Sequence, residues 1–427
     1  MNIVFSSVDC ARPDAFDQEF YERKKDKGSY FDTCITQAAF TSPSHTSMLS
    51  GIYPFNHGVR WLIDYHTDAT TLPEVLQEEG YNTAAFVGGY PLPTGNLDKG
   101  FDKFEHVTCI DDRKEGRQEL GPANILVNRA VNWLDDQEGE DNFVFLHFFD
   151  LHFTLRSEFG KRDEPDFDDE HVYENVEQYI GRQKKRYYDE AAFVGRQLGV
   201  LDDLIEVDVH VVTADHGSKM PGEHGYPWVY NHEGERVGSQ FRAVEVYDNI
   251  VRVPLIISGE PFPDIDVHKQ VRTIDIAPTL LDGLEIELDE YDEYSDEING
   301  VSLLSNDLPE YAYSETYHGQ LTKANKLTHK MNERYSFGWA NIDSLVSVRT
   351  NEWKLIATAN GDLEPVELYH IAQDPSESRN LYGEHPEVEG ELENVLDDLI
   401  GDDDQRYATA DEVDDKTRGH LEDLGYL

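Results

Sequence analysis

Carboxylates, imidazoles and one hydroxyl recur where apolar runs of this sequence end. Val8-Asp9 closes the first run, and Phe40-Thr41-Ser42-Pro43-Ser44-His45 follows the second. Asp150-Leu151-His152 closes a later run, and Asp215-His216-Gly217 closes another, with Glu223-His224-Gly225 soon after. Such groups converging on one rim are costly unless a cation neutralises them. Oxygen donors with an imidazole suit zinc, manganese, magnesium or calcium, and geometry sets the choice. Asp9, Thr41, Asp215 and His216 are the candidate metal ligands. A hydroxyl on a metal loses its proton more easily, so Thr41 is also the candidate nucleophile. His45, His152 and His224 are candidates for holding an anionic group or protonating a leaving oxygen. His152 and His224 would equally complete a second metal site. A second reading of Thr41 stays open: it caps a helix over 43–50, with Pro43 in the first turn.

These residues meet only if the strands that carry them lie side by side and point the same way, because sites in open α/β sheets form outside the strands' carboxyl ends. Strand-like runs lie at 2–8, 30–36, 82–88, 142–149, 208–214 and 253–258. Helical spacing covers 71–79, capped by Thr71 and ending before Gly80, then 121–137, 178–204 and 275–284 with Asp275 as cap. The alternation predicts an α/β fold with a central, mostly parallel sheet sandwiched by helices. Near 305 the pattern changes to short alternating runs at 345–349, 353–359 and 365–370, then a helix at 387–399. Residues 1–304 therefore read as a catalytic domain and 305–427 as a small C-terminal α+β subdomain, with an antiparallel sheet and one helix. The segment 157–177 reads as a polar insertion.

The chain has 427 residues, enough for a large domain and a smaller one, and 39% of them are hydrophobic. Its 86 acidic residues against 36 Lys and Arg leave a net charge of −50, which excludes a basic nucleic-acid surface. The acidity is spread along the chain, densest at 157–177, 284–298 and 401–415. That distribution suits a surface adapted to molar salt, where repulsion is screened within about 3 Å. A docking surface for a cationic partner is the other reading. No run approaches the ~18 consecutive apolar residues of a membrane span. With no signal-peptide pattern, the expected location is a salt-accumulating cytoplasm, as in haloarchaea. Cys10, Cys34 and Cys109 fit neither a zinc knuckle nor a complete disulfide framework and read as reduced thiols.

Together these segments resemble the sulfatase family of the alkaline phosphatase superfamily, over nearly the whole chain. Asn2-Ile-Val-Phe-Ser-Ser-Val-Asp9 resembles the opening strand and metal aspartate. Thr41 to Pro54, with Asn56-His57-Gly58-Val59, resembles the nucleophile segment and the helix after it. Phe149-Asp150-Leu151-His152 is similar to the Asp-Pro-His segment that contacts substrate. Thr213-Ala-Asp-His-Gly217 with Gly222-Glu-His-Gly225 resembles the second metal segment. Trp353-Lys-Leu-Ile356, Glu367-Leu-Tyr369 and Asp374-Pro375 resemble the family's small C-terminal part.

The departures carry chemistry. The family has Cys, or Ser, converted to formylglycine where this chain has Thr41, and Arg where it has His45. Threonine cannot become that aldehyde, so no formylglycine is expected. The hydrate of formylglycine expels sulfate by carbon–oxygen cleavage; a sulfated threonine cannot. Threonine nucleophiles in the superfamily go with phosphoryl transfer, in which water attacks phosphorus. Cys10 replaces the second residue of the family's Asp-Asp pair, which weakens calcium and leaves zinc or manganese. The reading is a metal-dependent hydrolase of small anionic esters (a sulfated or phosphorylated sugar, lipid or aryl compound), with phosphate or phosphonate esters favoured over sulfate. A phospho-substituent transferase and a non-catalytic relative that binds anions or glycans are the alternatives.

Overall fold

The computed structural model describes residues 1–16, 20, 28–59, 67–89, 96–107, 121–152, 176–220, 223, 228–231, 236–239, 245–260, 262, 266–267, 269–287, 298–316, 335–337, 344–359 and 363–400. Cys109, His224, the stretch 401–415 and most of 157–177 and 284–298 lie outside the described residues.

The first strands are β1 (Asn2–Val8), β2 (Gly28–Ile35), β3 (Asn82–Val87), β4 (Lys103–His106), β5 (Asn142–Phe148) and β6 (Val209–Thr213). The short β7 (Trp228–Asn231) and β8 (Arg236–Ser239) form a small separate sheet with β13 (Tyr335–Phe337). β9 (Arg252–Ser258), β10 (Asp266–Val267) and β11 (Val271–Arg272) complete the central sheet, in the order β10-β2-β9-β6-β1-β5-β3-β4, with β11 also on β2. All its pairings are parallel except β2–β9 and β6–β9, so β9 alone runs backwards. The mostly parallel sheet expected from the sequence is therefore present. The carboxyl ends of β1, β2, β5 and β6 share one edge.

β1 lies between β5 and β6 and is buried at all positions but its first, which explains its mostly apolar character. Its two serines show how the sheet is covered. Ser6 Oγ bonds His210 Nε2 at 3.0 Å, and His210 Nδ1 bonds Asp202 at 2.9 Å. Ser7 Oγ instead bonds His45 Nε2 at 2.8 Å. Consecutive strand residues face opposite sides. Hence the helix carrying His45, α1 (Thr41–Ser50), and the one carrying Asp202 lie on opposite faces.

The other long helices are α2 (Leu72–Glu78), α3 (Ala123–Asp136), α4 (Val176–Leu204, which holds Asp202), α5 (Ile276–Gly283) and α6 (Pro386–Ile400). In α4 Tyr187, Ala191, Val194, Leu198 and Leu201 are buried at three-to-four spacing, a stripe that covers the sheet. α2 starts at the expected cap, Thr71, which forms a capping box with Glu74. Asp275 does precede α5, but its side chain does not cap it. Its carboxylate binds Arg272 at 2.6 Å and the Val301 amide at 3.0 Å instead. No described helix is long and apolar enough to cross a membrane.

The C-terminal sheet is antiparallel, in the order β12 (Ala312–Thr316), β14 (Leu345–Arg349), β15 (Lys354–Thr358), β16 (Glu364–Tyr369). α6 packs on it through Leu392, Leu396 and Ile400. The sheet also braces the chain that leads into α1: Glu315 N donates to Gln37 O at 3.0 Å and Ala39 N to Glu315 O at 3.1 Å. A buried ionic cluster joins the two sheets. Asp248 accepts from Arg349 at 2.8 Å and Lys354 at 3.0 Å, and Lys354 also reaches Glu377 at 2.8 Å. Burial opposes ionisation of Asp248, but the two cations outweigh it and hold the carboxyl below its usual range. Removing one partner from such a cluster strands buried charge. Asp248→Ala should therefore destabilise the protein by about 3–5 kcal/mol, read from the denaturant midpoint in molar salt.

Candidate active site

Four elements deliver the site. Asp9 follows β1, α1 begins at Thr41 just after β2, Asp150 and His152 follow β5, and Asp215 and His216 follow β6. Thr41 is the first residue of α1, and Phe40 occupies the cap position, with no side-chain cap. Thr41 is thus not the N-cap; its Oγ1 donates instead to Asp9 Oδ2 at 3.2 Å. All ten residues of α1 are buried although most are polar, and their hydroxyls turn inward. Ser44 Oγ donates to Asp215 O at 2.6 Å and contacts Thr36 Oγ1 at 2.8 Å, so the helix is bolted to the ends of β2 and β6. The amides of Thr41 and Ser42 lie at the N-terminal end of α1, where the helix dipole favours an anion.

Asp215 Oδ1 accepts from its neighbour's amide, His216 N, at 2.7 Å and from Cys10 N at 3.2 Å. The second bond requires Cys10 to adopt a left-handed conformation, φ 63°. Gly217 allows the Asn249–Ile250 backbone to approach: a Cβ there would lie 2.3 Å from Asn249 O. Its own amide donates to Ile250 O at 2.6 Å. Arg12 spans the two ligand-bearing loops, donating to Ser218 O at 3.2 Å and Glu223 at 2.6 Å.

Asp9, Asp215 and His216 present ligand atoms that all lie within 4.8 Å of one another. Asp9 Oδ1 and Asp215 Oδ2 are buried without a hydrogen-bond partner among the described residues. Two buried carboxylates with unsatisfied oxygens beside an imidazole fit a divalent cation. Burial works against the Asp9 charge but is overcome by His152, His147 and His216, which hold its carboxyl well below the ordinary range. Burial and the Asp9 charge push Asp215 up. His216 would be lowered by burial, but Asp215 and Asp9 raise it.

His152 joins Asp9 and Cys10 in a further group of that kind and stacks on Phe149, ring centres 4.3 Å apart. His45 is buried deeper. Its Nδ1 bonds Thr41 O at 2.7 Å and its Nε2 bonds Ser7, so both nitrogens are engaged within the protein. Burial and His147 keep it neutral, with a pKa well below the usual value. His147, the next-to-last residue of β5, was not among the sequence candidates, yet its Nε2 lies 3.4 Å from Asp9 Oδ2. Of the expected residues, Asp9, Thr41, His45, His152, Asp215 and His216 converge; His224 lies outside the described residues.

The Sulfatase family matches residues 11–286, close to two thirds of the chain. The chain belongs to the sulfatase family. As a member it is an ester hydrolase, and the family's N-sulphoglucosamine sulphohydrolase C-terminal part matches residues 240–402. Arylsulfatase K of Bos taurus is 28% identical over 89% of this chain and 76% of its own. The Mus musculus protein of that name matches 46% of this chain but only 31% of its own length. Among solved structures, a 2-O GAG sulfatase has a TM-score of 0.68 at 20% identity, covering 98% of this chain and 96% of that one. The phosphonate monoester hydrolase of Silicibacter pomeroyi has a TM-score of 0.62 at 18% identity, covering 93% and 94%. These superpositions agree on the fold: a mostly parallel sheet flanked by helices, with a small antiparallel C-terminal domain.

Asp150 supplies a pH test. Burial pushes its carboxyl up to about 7, although Oδ1 accepts from Ala123 N at 3.1 Å. A raised folded-state pKa means the native state binds its proton more tightly than the unfolded chain. Its contribution is therefore fully present near pH 4 and is lost as pH rises through about 7. Relative to wild type, Asp150→Asn should gain stability between pH 5 and 8 and show no gain at pH 4, read by thermal melts across that range.

Proposed function

We propose that this sulfatase-family chain hydrolyses phosphate or phosphonate esters through Thr41, with Asp9, Thr41, Asp215 and His216 as ligands of a divalent cation. The observation that carries the reading is a threonine hydroxyl at the head of α1, 3.2 Å from Asp9 Oδ2. When bound, the cation supplies Lewis acidity and charge neutralisation at the reacting anion. Thr41 Oγ1 attacks phosphorus as its proton is released to solvent. The bond from phosphorus to the leaving oxygen breaks, and His152 protonates that oxygen. Water then attacks phosphorus, giving its proton to the now neutral His152, and the bond to Thr41 breaks; the Thr41 oxygen takes a proton back from solvent, restoring the hydroxyl. Amides at the first turn of α1 hold the phosphoryl oxygens. His224 is read as a second anion-binding or proton-donating group. His45 buttresses the turn that carries Thr41, through the Thr41 carbonyl and Ser7.

The Silicibacter pomeroyi phosphonate monoester hydrolase supports this reading by showing what a similar scaffold hosts. Sulfate-ester hydrolysis is the second reading, favoured by the Arylsulfatase K relatives. We read residues 1–304 as the catalytic domain and 305–427 as the C-terminal subdomain, supported by the change of sheet at β12.

Matched nitrophenyl phosphate, phosphonate and sulfate esters should give the higher kcat/KM for the phosphorus esters. Thr41→Ala should keep the fold and lose on the order of 10³-fold or more in kcat. Mass spectrometry of quenched reactions should find a phospho-adduct on the 41–51 peptide. A sulfate preference with no adduct on Thr41 sinks the proposal.

The spread of charge further supports a protein built for concentrated salt. Its Tm should climb steeply between 0.01 M and molar salt, as the screening length shrinks from about 30 Å to about 3 Å. A flat profile would count against halophilic adaptation.

A further inference from the structure

Strand β5 carries one polar side chain in an otherwise apolar stretch, Phe143-Val144-Phe145-Leu146-His147-Phe148. His147 is fully buried. Its register partner is Ser7 on β1, so it faces the same side of the sheet as Ser7, toward α1. Neither ring nitrogen has a hydrogen-bond partner among the described residues. An unsatisfied buried polar group costs about 1–3 kcal/mol, so an imidazole left this way in a core strand calls for a ligand.

What it faces is the pair of carboxylates. Nε2 lies 3.4 Å from Asp9 Oδ2, and a ring nitrogen falls within 4.8 Å of an Asp215 carboxylate oxygen. His45 stands edge-on to it, ring centres 4.7 Å apart, but the nitrogens of His45 are engaged with Thr41 and Ser7. Donor atoms about 2.0–2.1 Å from one five-coordinate cation sit roughly 2.9–3.6 Å from their neighbours. The separations here fall in that range: 3.2 Å for Thr41 and Asp9, 3.4 Å for His147 and Asp9, 3.6 Å for His216 and Asp215.

We propose that His147 Nε2 is an additional ligand of the cation held by Asp9, Thr41, Asp215 and His216, giving a centre with two imidazole nitrogens. The inference rests on the metal reading above and adds a ligand to it. It also assigns a selectivity. Calcium and magnesium take oxygen donors, whereas imidazole suits zinc and its transition-metal neighbours. Two nitrogens would tilt this site to zinc and away from calcium.

X-ray absorption on zinc-loaded wild-type protein tests it, because imidazole rings give a multiple-scattering signature that can be counted. Two imidazoles per zinc are expected in the wild type and one in His147→Ala. Zinc affinity of the variant, from chelator competition, should fall by more than the roughly 10–100-fold that losing an outer-shell partner costs, while calcium affinity changes little. His147→Asn serves if the alanine variant does not fold, and two imidazoles retained in either variant would assign the second ring to His152 or His224 and overturn the inference. One imidazole in wild type overturns the inference and leaves the metal reading standing. No zinc uptake at all overturns both.

Discussion

Two carboxylates, Asp9 and Asp215, sit side by side out of reach of water, and the rest of the site follows from that. Their ligand oxygens lie within 4.8 Å, where two unit charges repel by roughly 3–4 kcal/mol even at an effective dielectric of about 20. That is a large share of the 5–15 kcal/mol by which a domain is stable. Imidazoles, amides and a hydroxyl therefore crowd around them. The burden falls unevenly: three histidines hold Asp9 ionised, while burial and that same charge push Asp215 the other way. A cation resolves the asymmetry by favouring the charged form of both.

Holding the pair together takes backbone as well as side chains. Cys10 is driven into the left-handed region, at a cost of about 1–2 kcal/mol for a residue with a side chain. Tyr187 fixes that turn, accepting from Arg12 N at 3.0 Å and donating to Cys10 O at 2.8 Å. Arg12 then crosses to Glu223, whose other oxygen accepts from Met220 N at 2.8 Å and Asn249 at 3.0 Å. The separation of the two metal-facing loops is thus set by one guanidinium and one carboxylate.

Much of this was legible in the sequence, for physical reasons. Strands buried on both faces are mostly apolar runs, so β1, β5 and β6 stand out, and the polar residues that follow them mark the rim. Direction is not written in such a run: Val253–Ser258 reads alike either way, and the reversal of β9 emerges only from its partners. β12 escaped notice because its Ser314 and Glu315 are buried against the chain entering α1 rather than alternating with solvent. Thr41 suggested a helix cap, but the chain enters the helix one residue earlier and leaves its hydroxyl for Asp9. His147 was invisible because one histidine in an apolar strand has no spacing to betray it.

The site draws on residues 9, 41, 147, 215 and 216, and β6, which positions the last two, pairs directly with β1. On the ribosome, about 200 residues must follow Asp9 before the second carboxylate exists. Until then β1 has only β5 beside it, and Asp9 belongs to no pocket. A cation held by Asp9 and Asp215 would accordingly be taken up only after β6 has paired with β1, by a folded cavity rather than by an unfolded chain.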